Sequence, residues 1–163
     1  MIIAIVSVDE KYGIGKDGKL LASHSEDMNF FKTMTTGNIV VMGRKTWDSL
    51  PKKPLPNRTN IIITSHPEKS NNIEATFTTM EDFLDNLEYL NTGEKDIYII
   101  GGASIYKQLL PYCERIYMTL IPEVNNNADT FFPVIDMNNE WKITMKEYSE
   151  LSKCYFLTID RNI

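Results

Sequence analysis

Residues Ile2-Ile3-Ala4-Ile5-Val6-Ser7-Val8 form an almost unbroken apolar run, rich in β-branched side chains. A strand with one wet face alternates apolar and polar residues. A continuous run marks a strand covered on both faces, which calls for helices packed on each side of the sheet. The run is too short to cross a membrane. It has no basic lead and no clear cleavage signal, so it reads as a strand rather than a signal peptide.

The rest of the chain repeats the theme. Short apolar strands are expected over 38–42, 60–64, 76–78, 96–100 and 115–121. Between them lie helical patterns. One begins near Ser23 or Ser25, with Ser23 and Glu26 spaced as a capping box and Phe30, Phe31 and Met34 as its apolar side. Others cover 43–50, 79–90 (Met80, Phe83, Leu84 and Leu87 at helical spacing) and 103–110. The stretch after Val8, with Gly13, Gly15 and Gly18, reads as a polar loop. Residues 141–148 and 154–160 alternate as a closing antiparallel hairpin. The expected fold is therefore α/β: a three-layer sandwich with a mostly parallel central sheet, a C-terminal antiparallel hairpin and helices on both faces.

With 163 residues, 42% of them apolar, the chain suits one domain over 1–163 with a substantial core. No repeat or linker divides it. The formal charge of −5 argues against a nucleic-acid surface and requires any anion site to concentrate its positive charge locally. Cys113 and Cys154 fit neither a metal site nor a disulfide framework, and read as reduced thiols of a cytoplasmic protein.

In open α/β sheets ligands bind beyond the carboxyl ends of the strands. Three such ends carry suggestive groups. At Val41-Met42-Gly43-Arg44-Lys45-Thr46-Trp47 a buried strand meets a helix opening with two cations and a hydroxyl, an anion-friendly arrangement, although a solvated basic turn has the same composition. At Ile100-Gly101-Gly102-Ala103 paired glycines allow close backbone approach, or merely a tight turn; the full dinucleotide fingerprint is absent. Thr64-Ser65 offer hydroxyls, while His66 and His24 read as ordinary surface residues. Asp27 is the candidate acid. It could simply complement a helix dipole, but it shares a helix face with Phe31, and a carboxylate on an apolar face is partly desolvated and needs partners. An amidine-like ligand edge with two N–H donors would suit it. No nucleophilic triad or metal-ligand spacing competes.

These residues resemble the dihydrofolate reductase family over essentially the whole chain. The match is carried by Gly13-Ile14-Gly15-Lys16-Asp17-Gly18-Lys19-Leu20, Glu26-Asp27-Met28 with Phe31-Lys32, Val41–Trp47, Pro54-Leu55-Pro56-Asn57-Arg58, Ile100–Ala103 and Asp129-Thr130-Phe131-Phe132-Pro133. The resemblance implies NADPH-dependent reduction of 7,8-dihydrofolate, with antifolate inhibitors as further ligands, no nucleic-acid or membrane partner, no metal and a monomeric state. It implies a catalytic set of Asp27, Leu20 and Thr119, with Asp27 holding the pterin 2-amino group and N3. Ile5, Leu20, Met28, Phe31, Leu50, Leu55 and Ile100 would wall the substrate pocket, and Val6 and Tyr106 would also bind substrate. Arg58 would pair with the glutamate-tail carboxylate. Arg44, Lys45, Thr46, Thr64 and Ser65 would hold the cofactor phosphates, and Gly101, Gly102, Ala103, Ser104, Ile105 and Tyr106 would pass beneath the pyrophosphate across a cis Gly101–Gly102 peptide. Ser7, Ile14, Gly15, Leu20, Gly43 and Ile100 complete the implied cofactor set.

Two departures stand out. Leu21-Ala22 replaces the family's Pro-Trp, which implies a looser active-site loop, slower hydride transfer or an altered response to inhibitors. Ala128 replaces a glycine, which would be strained if that position required a positive φ. The competing readings are a degenerate pterin- or NADPH-binding protein and a reductase of the riboflavin pathway that shares the fold.

Overall fold

The computed structural model describes residues 1–16, 19–20, 25–122 and 127–162. In chain order the strands and helices are β1 (Ile2–Val8), β2 (Gly13–Lys16), β3 (Lys19–Leu20), α1 (Ser25–Thr35), β4 (Ile39–Gly43), α2 (Arg44–Ser49), β5 (Thr59–Ile63) and β6 (Thr76–Thr78). There follow α3 (Met80–Asp85), α4 (Leu87–Leu90), β7 (Ile97–Ile99), α5 (Ala103–Leu109), β8 (Arg115–Leu120), β9 (Thr130–Phe131), β10 (Trp141–Tyr148) and β11 (Tyr155–Arg161).

Eight strands form one sheet in the order β10-β11-β8-β1-β7-β4-β5-β6. The neighbours from β8 to β6 are parallel, and β11 and β10 close the sheet antiparallel. The sandwich expected from the apolar runs is the one observed. Its two faces follow from the period-two alternation of strand side chains. Ala4, Val6, Val41 and Ile99 join one core with Phe83, Leu87, Ile105 and Leu109 from α3, α4 and α5. Ile3, Ile5, Val40 and Met42 join the other with Phe30, Phe31 and Met34 from α1 and Trp47 from α2.

Ser7 is the only polar residue in β1 and the only one of its seven that is not fully buried. It follows Ile3 and Ile5 on the face that α1 covers. The register sets it opposite Thr119 of β8, so two hydroxyls emerge side by side under the first turn of α1.

Two elements differ from the sequence reading. The stretch after Val8 is not all loop: β2 pairs with β3 and, across more than a hundred residues, with β9, making a separate three-stranded sheet. Gly13-Ile14-Gly15 has low intrinsic strand propensity, and its partner is remote, so nothing local announces it. The 79–90 helix is two pieces. Thr79 caps α3 by accepting from the Asp82 amide, and Asn86 interrupts the helix at φ −103°, ψ 4°, while Phe83 and Leu87 keep the buried stripe continuous. Of the expected capping box, Ser23 lies outside the described residues. Ala128 is not among the described residues with a positive φ, so the alanine has ordinary backbone geometry.

Candidate active site

Asp27 sits in the first turn of α1, half-buried. Its Oδ1 accepts from the Thr119 hydroxyl at 2.6 Å, and its Oδ2 accepts from the Ser7 hydroxyl. Each carboxylate oxygen is thus fixed by one hydroxyl and keeps lone-pair capacity for a second donor. Thr119 is where the sequence reading put it. Ser7 was expected in the cofactor set, and the structure joins its hydroxyl to Asp27. The sequence signal for this role is its position as the lone hydroxyl in an apolar strand.

Phe31, one turn on, joins the same core cluster as Ile5, Leu50, Leu55 and Ile100, so the structure brings five of the expected wall residues into one cluster. Three other expected substrate residues lie outside that cluster. Met28 is exposed, since it is turned about 100° round the helix from Asp27. Val6 faces the opposite core, leaving only its backbone on the site's side. Tyr106 is buried in that same core, and its hydroxyl donates to the Ile5 carbonyl at 2.7 Å. Burial pushes its phenol well above the ordinary range.

Arg58 is held from three directions. Its Nε donates to the Pro56 carbonyl at 2.9 Å, its Nη1 to the Thr35 hydroxyl at 3.0 Å, and its guanidinium lies 5.9 Å from the Phe31 ring centroid. Burial lowers its pKa from the usual value. The loop beneath it is shaped by buried Asn60, which accepts from the Leu55 amide and donates to the carbonyls of Leu55 and Arg58. Neither Thr35 nor Asn60 was legible as a site residue, because their partners are set by the loop's path.

A glycine cradle lies across the neighbouring strand ends. The Gly43 amide donates to the Gly101 carbonyl at 2.8 Å, and the Gly101–Gly102 peptide is cis, as the resemblance implied. A Cβ on Gly43 would come within 2.9 Å of Ile105 Cγ1, and one on Gly102 would sit 3.8 Å from Thr46 Oγ1. Gly101 has φ +115° against the ring of Tyr106. Gly43 and Gly102 cap α2 and α5 without a side-chain hydrogen bond, which leaves the first amides of both helices for a ligand. Ala103 is half-buried beside them, whereas Ser104 is exposed and bonded to Gln108.

Beyond the cradle, Arg44 bonds Asp48 at 3.1 Å and the Ser70 hydroxyl at 3.0 Å, with its guanidinium 5.9 Å from the Phe77 centroid. Lys45 and Ser65 are exposed. The Thr64 hydroxyl accepts from the His66 amide. His66 pairs with Glu68 on the surface. Gly15 is paired with Leu20 and Thr130 in the small sheet, and Ile14 is buried in the first core. Leu21 and Ala22 lie outside the described residues, as does His24. Among the described residues no His, Cys, Asp or Glu cluster could hold a metal, and no helix is long and apolar enough to cross a membrane. Cys113 and Cys154 are buried and form no disulfide; burial pushes the Cys113 thiol up to about 12.

Known proteins resemble this chain in sequence and in fold. The sequence model of the family described as Dihydrofolate reductase matches residues 1–161. The chain is 37% identical over 147 residues to a dihydrofolate reductase of Bacillus subtilis, covering 90% of this chain and 83% of that protein. It is 37% identical over 158 residues to one of Schistosoma mansoni, covering 88% and 83%. A solved dihydrofolate reductase from Enterococcus faecalis, complexed with NADP(H) and RAB-propyl, superposes with a TM-score of 0.86 at 33% identity over 100% of this chain and 97% of that one.

Proposed function

The chain belongs to the dihydrofolate reductase family, and from that membership we propose that it reduces 7,8-dihydrofolate to 5,6,7,8-tetrahydrofolate with NADPH. The observation that carries the reading is the Asp27 carboxylate, clasped by Ser7 and Thr119 in a helix whose Phe31 joins an apolar cluster, together with a glycine cradle at the neighbouring strand ends.

Asp27 anchors the substrate. Its two oxygens meet the 2-amino group and N3 of the pterin as a charge-assisted pair of hydrogen bonds. Ile5, Phe31, Leu50, Leu55 and Ile100 enclose the ring and exclude water. Arg58 has its Nε and one Nη1 proton committed to Pro56 and Thr35, and offers its remaining N–H groups to the glutamate-tail carboxylate.

The residues present fit the cofactor. Glycine is required at 43 by Ile105 and at 101 by its φ, and the backbone they leave bare accommodates a pyrophosphate against the amides of α2 and α5. Arg44, steadied by Asp48, Ser70 and Phe77, presents positive charge for the adenosine 2′-phosphate, with Lys45, Thr46, Thr64 and Ser65 nearby. Bound NADPH supplies the hydride that reaches C6. The protein supplies proximity, orientation and a dry pocket. Asp27 polarises the pterin and promotes protonation of N5 through water rather than by direct transfer. Antifolates that present an amidine edge bind the same carboxylate, and the enzyme works as a cytoplasmic monomer.

The test is NADPH consumption with dihydrofolate. Wild type turns over, and Asp27→Asn loses at least about a hundredfold in kcat/KM, the scale of removing a group that acts on the reacting ring. A silent wild type would overturn the proposed activity; a fully active Asp27→Asn would overturn the role given to Asp27.

A further inference from the structure

Asp27 occupies the least secure part of its helix. The first turn of an α-helix has no intrahelical partners for its amides and frays readily, so the position of a carboxylate there depends on tertiary contacts. Two of these are already described, from Ser7 and Thr119 to the carboxylate itself. A third is Phe30, whose ring sits edge-on against Tyr117 of β8 and Phe156 of β11, at centroid distances of 5.8 and 5.4 Å.

The fourth contact comes from the far end of the chain. The Glu26 carboxylate accepts a 2.8 Å hydrogen bond from the Ser152 hydroxyl, 126 positions away in the turn between β10 and β11. The Ser149 hydroxyl accepts from the Ser152 amide at 3.4 Å, and the serine hydroxyls of this turn, Ser149 and Ser152, hold the Glu26 carboxyl below its usual range. The turn that presents them is itself well fixed. The Ser149 amide donates to the Cys154 carbonyl at 2.9 Å, Lys153 has φ +59°, and fully buried Cys154 plugs the base. Glu26 therefore ties the start of α1 to a rigid corner of the main sheet.

We propose that Glu26 is a positioning residue for the reaction: clamped by the Ser152 hydroxyl, it stops the first turn of α1 from fraying and keeps Asp27 aimed at the substrate. The inference rests on the reading of Asp27 as the substrate anchor. An acidic residue in a first helical turn also complements the helix dipole. The clamp and the dipole separate cleanly, because Ser152→Ala removes the clamp and leaves the charge of Glu26 in place.

The experiment compares wild type, Ser152→Ala, Ser152→Thr, Glu26→Gln and the Ser152→Ala/Glu26→Gln double variant. Steady-state kinetics are measured with each substrate varied in turn, and hydrogen exchange is followed at the amides of Asn29, Phe30 and Phe31, whose helical bonds run back to Ser25, Glu26 and Asp27. Ser152→Ala is expected to raise KM for dihydrofolate about threefold to tenfold, the scale of one hydrogen bond to a charged group, with KM for NADPH unchanged. Ser152→Thr restores wild-type values, and the double variant is no worse than the worse single one. Exchange at the three amides speeds up in Ser152→Ala. An unchanged KM for dihydrofolate, equal rises in both KM values, or strictly additive effects would overturn the proposal. So would unaltered exchange at the three amides, a readout that holds even if dihydrofolate proves not to be the substrate.

Discussion

The Tyr106 hydroxyl donates a 2.7 Å hydrogen bond to the carbonyl oxygen of Ile5, 101 positions earlier in the chain. The bond crosses from α5 to β1 in a fully buried setting, and it fixes the strand segment that leads to Ser7. The same ring lies against Gly101, so one side chain supports both the strand beneath the carboxylate and the cradle beside it.

Tyr106→Phe keeps the ring and deletes the bond. It leaves the Ile5 carbonyl buried without that donor and is expected to destabilise the fold by about 1–3 kcal/mol. Urea denaturation measures the loss, and an unchanged midpoint would show that the bond contributes nothing net.

Ser7→Ala and Thr119→Val each remove one of the two hydroxyls on Asp27. Hydrogen bonds to charged groups contribute about 1.5–3 kcal/mol, so each variant is expected to lower kcat/KM for dihydrofolate roughly tenfold or more. Because both bonds orient one carboxylate, the double variant should fall short of the product of the two losses. Kinetics of the three variants decide between coupled and independent action.

Gly43→Ala places a methyl 2.9 Å from Ile105 Cγ1. Either α5 shifts away from the cradle or Ile105 changes rotamer, and the expected result is a higher KM for NADPH with little change in that for dihydrofolate. Ile105→Ala in the same chain makes room and should recover much of the cofactor affinity, as a fluorescence titration with NADPH would show.

Asp160 predicts an acid-dependent term in stability. Desolvation raises its pKa, but hydrogen bonds from Arg115 and Thr144 and the charges of Arg115 and Lys142 outweigh that and lower it below the ordinary 3.8. A carboxyl whose folded pKa lies below its unfolded one contributes stability that is full above the unfolded pKa and is lost as pH falls through the folded one. Wild type should therefore lose stability below about pH 4 more steeply than Asp160→Asn. Thermal denaturation across that range tests the slope; parallel curves would contradict it.

Gly13→Val tests the small sheet. A Cβ there would meet Asp9 Oδ2 at 2.7 Å and the Ala128 Cβ at 2.9 Å, and the Asp9 carboxylate also accepts from the Gly13 amide at 2.8 Å. The variant should loosen the pairing of β2 with β9 and raise hydrogen exchange at Gly15 and Asp129, while the main sheet keeps its protection.

The large sheet was legible because buried parallel strands are written as continuous apolar runs, as in Ile2–Val8 and Ile39–Gly43. The glycine cradle was legible because only glycine leaves backbone bare at a strand end. What escaped notice depends on distant partners. Nothing near Gly13 reveals Phe131, and nothing near Thr35 reveals Arg58. Tyr106 carries the chemistry of a site residue, and only burial and the Ile5 carbonyl show that it works from beneath the floor. The Val6 side chain belongs to the other face, because one position of strand alternation sends a side chain across the sheet.

The register that sets Ser7 opposite Thr119 has a consequence for when the molecule can work. The proposed substrate anchor is assembled from the first strand, the first helix and a strand that begins at Arg115, and β11 must then cover β8. No shorter leading segment of the chain contains all of it, and a shift of one residue between β1 and β8 would turn an apolar side chain toward Asp27. Partial folding should therefore give no partial activity, and during synthesis the Asp27 site should form only after β11 has emerged.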